Sequence, residues 1–243
     1  GHGIELTCTD ASLPTDSGNL VHRAAIGFIE TAGLRDGLLI HLEKKIPLAA
    51  GLGGGSGNAA TTLLGLNELF DAPLAPGQLH VIASSLGSDI PFFLQDQPAL
   101  ATGRGERIEP LEPFCALAGA WFLLIHPGFG VATAWAYKNL ARFPDALHGQ
   151  PGRARKLVAL LRAADLAAAG REFYNSLEAP VLEKHPLLAI FQEFLRAQGV
   201  PVALMSGSGS TTFALVRAEA AARKLENQVQ SKFGPCWTAV VPV

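Results

Sequence analysis

Apolar and polar residues alternate over Ile4, Leu6 and Cys8, and again over Leu38, Ile40 and Leu42. A period of two predicts a strand with one covered face at each place. Between them, Asp16 and Ser17 can cap a helix that begins near Asn19, and Gly33 can end it. The apolar positions Leu20, Ala24, Ile26, Phe28 and Ile29 only partly fit one helical face. After Pro47 comes a glycine-rich loop, then a predicted helix from about Ser56 to Phe70. Its apolar face is Ala59, Ala60, Leu63, Leu66, Leu69 and Phe70. A further helix is predicted over Gly77 to Leu86, stopped by Gly87.

Ala99 to Thr102 and Arg107 to Leu111 read as a hairpin around Gly103-Arg104-Gly105. Trp121 to His126 reads as a buried strand ended by Pro127-Gly128. Pro, Gly and charged residues crowd Arg142 to Gly152, the best candidate linker. Beyond it the pattern predicts helix, helix, strand, loop, strand, helix, strand, with strands at Val202–Met205, Thr212–Val216 and Trp237–Val241. This order predicts an α+β protein of two lobes, residues 1–141 and 142–243.

Composition supports a folded chain and narrows its partners. Of 243 residues, 49% are hydrophobic and 16% charged, enough for a sizeable core. A net charge of -2 argues against a nucleic-acid partner. No apolar stretch reaches the length of a membrane span, and no charged-then-apolar leader opens the chain. The three cysteines, Cys8, Cys115 and Cys236, are far apart and odd in number, which suits free thiols in a reducing cytoplasm better than a disulfide framework. The histidines show no metal-ligand spacing.

The chemistry concentrates in Pro47-Leu48-Ala49-Ala50-Gly51-Leu52-Gly53-Gly54-Gly55-Ser56-Gly57-Asn58. Glycines permit positive φ and let backbone N–H groups face inward. The helix that follows offers free amides and a positive dipole end, so the pair predicts a phosphate cradle. Ser56 adds a hydroxyl that can reach a phosphate or a magnesium water, and Asn58 adds an amide. A flexible linker is the competing reading, but it predicts neither the helix immediately after nor the proline before. The segment fits neither the Walker spacing nor the dinucleotide fingerprint. Farther on, Asp89 in Gly87-Ser88-Asp89-Ile90-Pro91 sits at a turn pinned by proline, and taken alone reads as a turn or cap residue. Ser206-Gly207-Ser208-Gly209-Ser210, between two strands, taken alone reads as a hairpin-like turn.

Together these segments resemble the GHMP kinases. Pro47 to Ala60 is similar to the family's second motif, which wraps the ATP phosphates. The triple glycine after Gly51-Leu52 resembles the branch that acts on a diphosphocytidyl conjugate of methylerythritol. The resemblance implies that Asp89 is the catalytic base and that Gly207, Ser208 and Gly209 belong to the third motif, which shapes the active site. Asn19 and Lys44 resemble positions around the adenine pocket, and Thr133, after His126-Pro127, a segment that touches substrate. Gly103, Gly105 and Glu106 resemble the family's glycine-glutamate hairpin, and Asn175 with Leu177-Glu178 its asparagine-leucine-glutamate stretch. These matches run in order along nearly the whole chain.

The resemblance further implies an N-terminal lobe like the second domain of ribosomal protein S5 and a ferredoxin-like C-terminal lobe. It implies ATP and Mg2+ as cofactors, a small-molecule substrate, and a monomer or weak homodimer. Two departures stand out. Gly57 occupies the place of a second serine, which leaves Ser56 or water as the metal's hydroxyl ligand. The family's opening strand, with its lysine and asparagine, and its cytosine-binding aromatic-histidine pair do not appear, so a leading segment is expected before Gly1. Two rival readings remain: a GHMP kinase acting on homoserine or mevalonate, and a non-catalytic nucleotide-binding relative.

Overall fold

The computed structural model describes residues 3–148 and 150–243, which fall into two compact units. The first holds residues 3–46 and Gly53–Glu112; the second holds Pro47–Leu52 and the chain from Pro113 onward.

In the first unit, β1 (Ile4–Cys8) and β2 (Leu38–Leu42) pair in parallel, Ile4 opposite Leu38 and Cys8 opposite Leu42. Helix α1 (Leu20–Ala32) makes the crossover between them. Its N-cap is Asn19, three residues beyond the expected Asp16. The Asn19 Oδ1 accepts from the Val21 N–H at 3.0 Å, whereas Asp16 closes the preceding turn by accepting from the Gly18 N–H. Gly33 ends the helix in the left-handed region at φ 67°. Helices α2 (Gly54–Leu69) and α3 (Pro76–Leu86) pack on α1. Ala24 and Ala25 of α1 and Ala59 and Ala60 of α2 are fully buried, and small side chains allow the two backbones to approach closely. The buried set Val21, Ala24, Ala25 and Phe28 is a regular i, i+3, i+4, i+7 face that small residues disguise in the sequence. Phe28 fills the centre and stacks on Phe70 at 6.2 Å between ring centroids. Then come a 3-10 turn (Ile90–Leu94) and an antiparallel hairpin of β3 (Ala99–Thr102) and β4 (Arg107–Pro110).

The second unit is built on an antiparallel sheet in the order β6-β7-β5-β8. These strands are β5 (Trp121–His126), β6 (Val202–Met205), β7 (Thr212–Val216) and β8 (Trp237–Pro242). Around them lie α4 (Thr133–Leu140), α5 (Pro144–His148), α6 (Arg153–Arg162), α7 (Leu166–Glu172), α8 (Glu178–Lys184), α9 (Pro186–Ala197) and α10 (Glu219–Phe233). Strand alternation supplies both faces. Leu123, Ile125, Ala203, Met205 and Ala214 pack against Val181, Leu188, Phe191, Leu195 and Val229. Val202 and Leu215 pack against Leu161, Leu166 and Ala169 on the other face.

Two expectations change here. The candidate linker from Arg142 to Gly152 lies inside the second unit, because β5 upstream of it pairs with β7 and β8 downstream. It contains α5 and also Gly149, which lies outside the described residues. The two helices expected before β6 are four. Asp165 starts α7 by accepting from the Ala168 N–H at 2.9 Å, and Pro186, with no N–H to donate, separates α8 from α9. α7 and α8 are seven residues each, too short for a clear helical period.

Phe28→Ala should cost about 3–5 kcal/mol, the range for emptying a buried aromatic site. Urea unfolding of the two proteins side by side measures it.

Candidate active site

The glycine loop is shaped differently in its two halves. In the first unit, Gly53 is the N-cap of α2 at φ 64° and ψ 16°, and no side chain caps the helix. The Gly57 N–H donates back to the Gly53 carbonyl at 2.8 Å. Helix geometry therefore leaves the amides of Gly54, Gly55 and Ser56 without an intrahelical acceptor. The first turn has no acidic residue to balance the positive dipole end.

Lys44 sharpens this field. Its ammonium donates to the Asn58 Oδ1 at 3.1 Å and stands 2.9 Å from where a Cβ on Gly54 would lie. Burial depresses the Lys44 pKa from its ordinary value, against the opposing pull of Cys8 and Asp10. A half-buried cation at the positive end of a helix is an unfavourable pairing that a bound anion relieves. The residues present thus fit a polyphosphate: bare glycine backbone, free first-turn amides, a lysine, and the half-buried Ser56 in the same turn.

Asp89 belongs to the same unit and is exposed. It precedes the 3-10 turn in the αR region and caps nothing; the Ser88 hydroxyl donates to its Oδ1 at 3.2 Å. Phe93, one turn later, packs on the start of α2. A Cβ on Gly53 would lie 2.5 Å from the ring, and one on Gly57 3.6 Å. This ring ties the Asp89 segment to the glycine-rich start of α2. The tip of the β3–β4 hairpin closes on Asp89 from another side, since a Cβ on Gly105 would lie 3.3 Å from its Oδ1. Glu106 shapes that tip by accepting from the Arg104 N–H at 2.8 Å, and backbone N–H groups of Glu106 itself and Arg104 hold its pKa down.

In the second unit, Pro47 to Leu52 lie against the turn between β6 and β7. The Thr211 N–H donates to the Ala50 carbonyl at 3.0 Å and the Val131 N–H to the Ala49 carbonyl at 3.2 Å. The Ser206 hydroxyl donates to the Gly51 carbonyl at 2.9 Å. Gly51 sits at φ 74°, and a Cβ there would collide with the Ser206 carbonyl and come within 2.9 Å of the Gly209 amide and carbonyl. Thr133 and Ser208 share a hydroxyl hydrogen bond of 2.8 Å. His126 accepts from the Gly128 N–H, and burial lowers its pKa, favouring the neutral ring.

The predicted residues therefore assemble within each unit. Gly53 to Asn58, Lys44 and Asp89 gather in the first; Pro47 to Leu52, Thr133, Gly207, Ser208 and Gly209 gather in the second. Asn19 is employed locally: buried, it caps α1 and donates to the Pro14 carbonyl at 2.8 Å. The sequence reading gave no role to Phe93 or Ser206. An aromatic after Pro91 and a serine among glycines carry no periodic signal, and only the fold shows what they touch. Among the described residues no three His, Cys, Asp or Glu side chains form a metal cluster.

Residues 19–104 match the family description "GHMP kinases N terminal domain", and residues 156–235 match "GHMP kinases C terminal". The chain is 38% identical to a 4-diphosphocytidyl-2-C-methyl-D-erythritol kinase of Syntrophotalea carbinolica, covering 100% of this chain and 83% of that protein. It is 41% identical to the enzyme of the same name from Synechococcus sp. (strain JA-3-3Ab), over 97% of this chain and 75% of the other. A crystal structure of 4-(cytidine 5'-diphospho)-2C-methyl-D-erythritol kinase superposes with a TM-score of 0.75 at 32% identity, covering 100% of this chain and 83% of that one. Homoserine kinase from Cytophaga hutchinsonii superposes at 0.84 with 23% identity over the same shares, a likeness of fold.

Two glycine substitutions should diverge. Gly51→Ala forces a Cβ against backbone at positive φ and should destabilise by about 2 kcal/mol or more. Gly57→Ala, inside α2 with an ordinary contact to Phe93, should stabilise by about 0.5–1 kcal/mol. Thermal melts of the pair read both signs.

Proposed function

This chain belongs to the GHMP kinase family, and we propose that within it the protein phosphorylates the C2 hydroxyl of 4-diphosphocytidyl-2-C-methyl-D-erythritol with ATP. The observation that carries phosphoryl transfer is the uncapped, lysine-flanked start of α2 with the Asp89 segment fastened to it by Phe93. The acceptor is supported by identities of 38% and 41% to curated enzymes of that name across nearly the whole chain. The higher superposition score of the homoserine kinase, at 23% identity, speaks for fold and not for substrate.

In this reading the amides of Gly54 to Ser56 hold the nucleotide's phosphates and stabilise charge developing on them. Asp89 orients the acceptor hydroxyl and takes its proton as the new O–P bond forms and the bond to the β-phosphate oxygen breaks, releasing ADP. The exposed Asp89 carboxylate has acceptor capacity beyond the Ser88 bond, as that role requires. The Ser56 hydroxyl would be the protein ligand of a bound Mg2+, whose chemistry there would be charge neutralisation. Thr133, Gly207, Ser208 and Gly209 would contact the acceptor, and Asn19 and Lys44 would flank the nucleotide. We place the protein in the cytoplasm as a monomer or weak homodimer acting on a small molecule, without nucleic-acid or membrane partners. No described helix is long and apolar enough to cross a membrane.

A substrate panel tests the assignment: the cytidyl conjugate, homoserine and mevalonate, each with ATP and Mg2+. Turnover of the conjugate alone is expected, and preference for homoserine or mevalonate would contradict it. Asp89→Asn should lower kcat by about 10²- to 10⁴-fold, about 3–5 kcal/mol of barrier, with ATP affinity little changed. A near-normal kcat with a lowered Tm would return Asp89 to a turn residue.

A further inference from the structure

The turn packed against Gly51 is itself held by two side chains around the start of α8. Asn175, just before α8, donates from Nδ2 to the Met205 carbonyl and to the Gly207 carbonyl, both at 2.8 Å. Its Oδ1 accepts from the Leu177 N–H at 3.0 Å, so all three backbone partners agree on one orientation of the amide. Glu178, at the start of α8, accepts on Oε1 from the Met205 N–H and from the Gln192 Nε2, each at 2.7 Å. Gln192, almost fully buried, accepts from Arg196 at 3.1 Å, and Arg196 also donates to the Ala203 carbonyl at 2.9 Å. Burial raises the Glu178 pKa against these bonds.

Met205 is thus gripped at both its N–H and its carbonyl, and Gly207 at its carbonyl. Ser206, between them, carries the carbonyl and the hydroxyl that fix Gly51. A Cβ on Gly207 would lie 2.9 Å from the Gly51 carbonyl, so the turn and Gly51 cannot move independently. Gly51 precedes the helix N-cap Gly53 by only Leu52.

We propose that Asn175 and Glu178 are positioning residues for nucleotide binding: they lock the Met205–Gly207 turn, which sets the backbone of Gly51 in the phosphate loop. The inference rests on the reading that this loop takes the phosphates of ATP. Removing the Asn175 amide would leave the Met205 and Gly207 carbonyls without this donor at once, whereas Glu178→Gln still offers an Oε1 to the Met205 N–H.

The test is ATP affinity by calorimetry, well below each protein's Tm, on the full chain. Asn175→Asp turns the bridging donor into an acceptor facing two carbonyls and should weaken ATP by about tenfold. Glu178→Leu should do the same, and Glu178→Gln should bind ATP within about twofold of the unaltered protein. Wild-type affinity in Asn175→Asp and Glu178→Leu, with only Tm lowered, overturns the proposal. If Asn175→Asp does not fold, Asn175→Ser replaces it. In the unaltered protein the Asn175 side-chain amide should exchange slowly and shift on ATP addition, and a fast, unshifted amide also overturns it. Absence of ATP binding by the unaltered protein would instead overturn the kinase reading, and this inference with it.

Discussion

The start of α2 sets the terms for the rest of the first unit. A helix that begins on Gly53, with no capping side chain, no acid in its first turn and a lysine ammonium beside it, concentrates positive potential without an internal partner. Such an arrangement is stable only because α2 is anchored elsewhere, by Ala59, Ala60 and Leu63 against α1 and by the stacking of Phe28 on Phe70. The electrostatic cost sits at the end of the helix, and the packing that offsets it sits along the body. An anion placed there would offset this cost.

Close contacts hold the segments around the start of α2 together. Phe93 leaves no room for a side chain on Gly53, so the turn that begins at Asp89 is tied to the helix start. Gly105 brings the hairpin tip against the Asp89 carboxylate. In the second unit the same principle recurs in backbone form. A Cβ on Gly51 would meet the backbone of Ser206 and Gly209, one on Gly207 would meet the Gly51 carbonyl, and one on Gly209 would meet the Met205 sulfur; hydrogen bonds from Ser206 and Thr211 fix Gly51 and Ala50. These glycines serve as sites of close approach more than as sources of flexibility.

Much of this was legible in the sequence because it is written in short-range signals. Period-two alternation marked β1 and β2, a continuous apolar run ended by Pro127-Gly128 marked β5, glycine and proline marked the turns, and the glycine cluster stood out before the apolar-faced helix α2. The resemblance of Pro47–Ala60 to the GHMP kinases supplied the family, which the matches to both of its halves bear out. What stayed hidden depends on partners distant in sequence. The face of α1 was blurred because two of its four buried positions are alanines, apolar but small. α7 and α8 were missed because seven residues hold barely two turns. The strand β5 was assigned to the first lobe because local pattern does not say that it pairs with β7 and β8. Asn175 and Glu178 gave no sign of gripping Met205, some 30 residues away.

The central claim is that the first turn of α2 receives the phosphates of ATP. Titration of the nitrogen-15-labelled protein with a non-hydrolysable ATP analogue and Mg2+ tests it directly, because each backbone amide reports its own environment. The amides of Gly53, Gly54, Gly55 and Ser56 should show the largest shifts, saturating together with a single affinity. Saturable shifts confined to another part of the chain, with these four amides unmoved, would contradict the account.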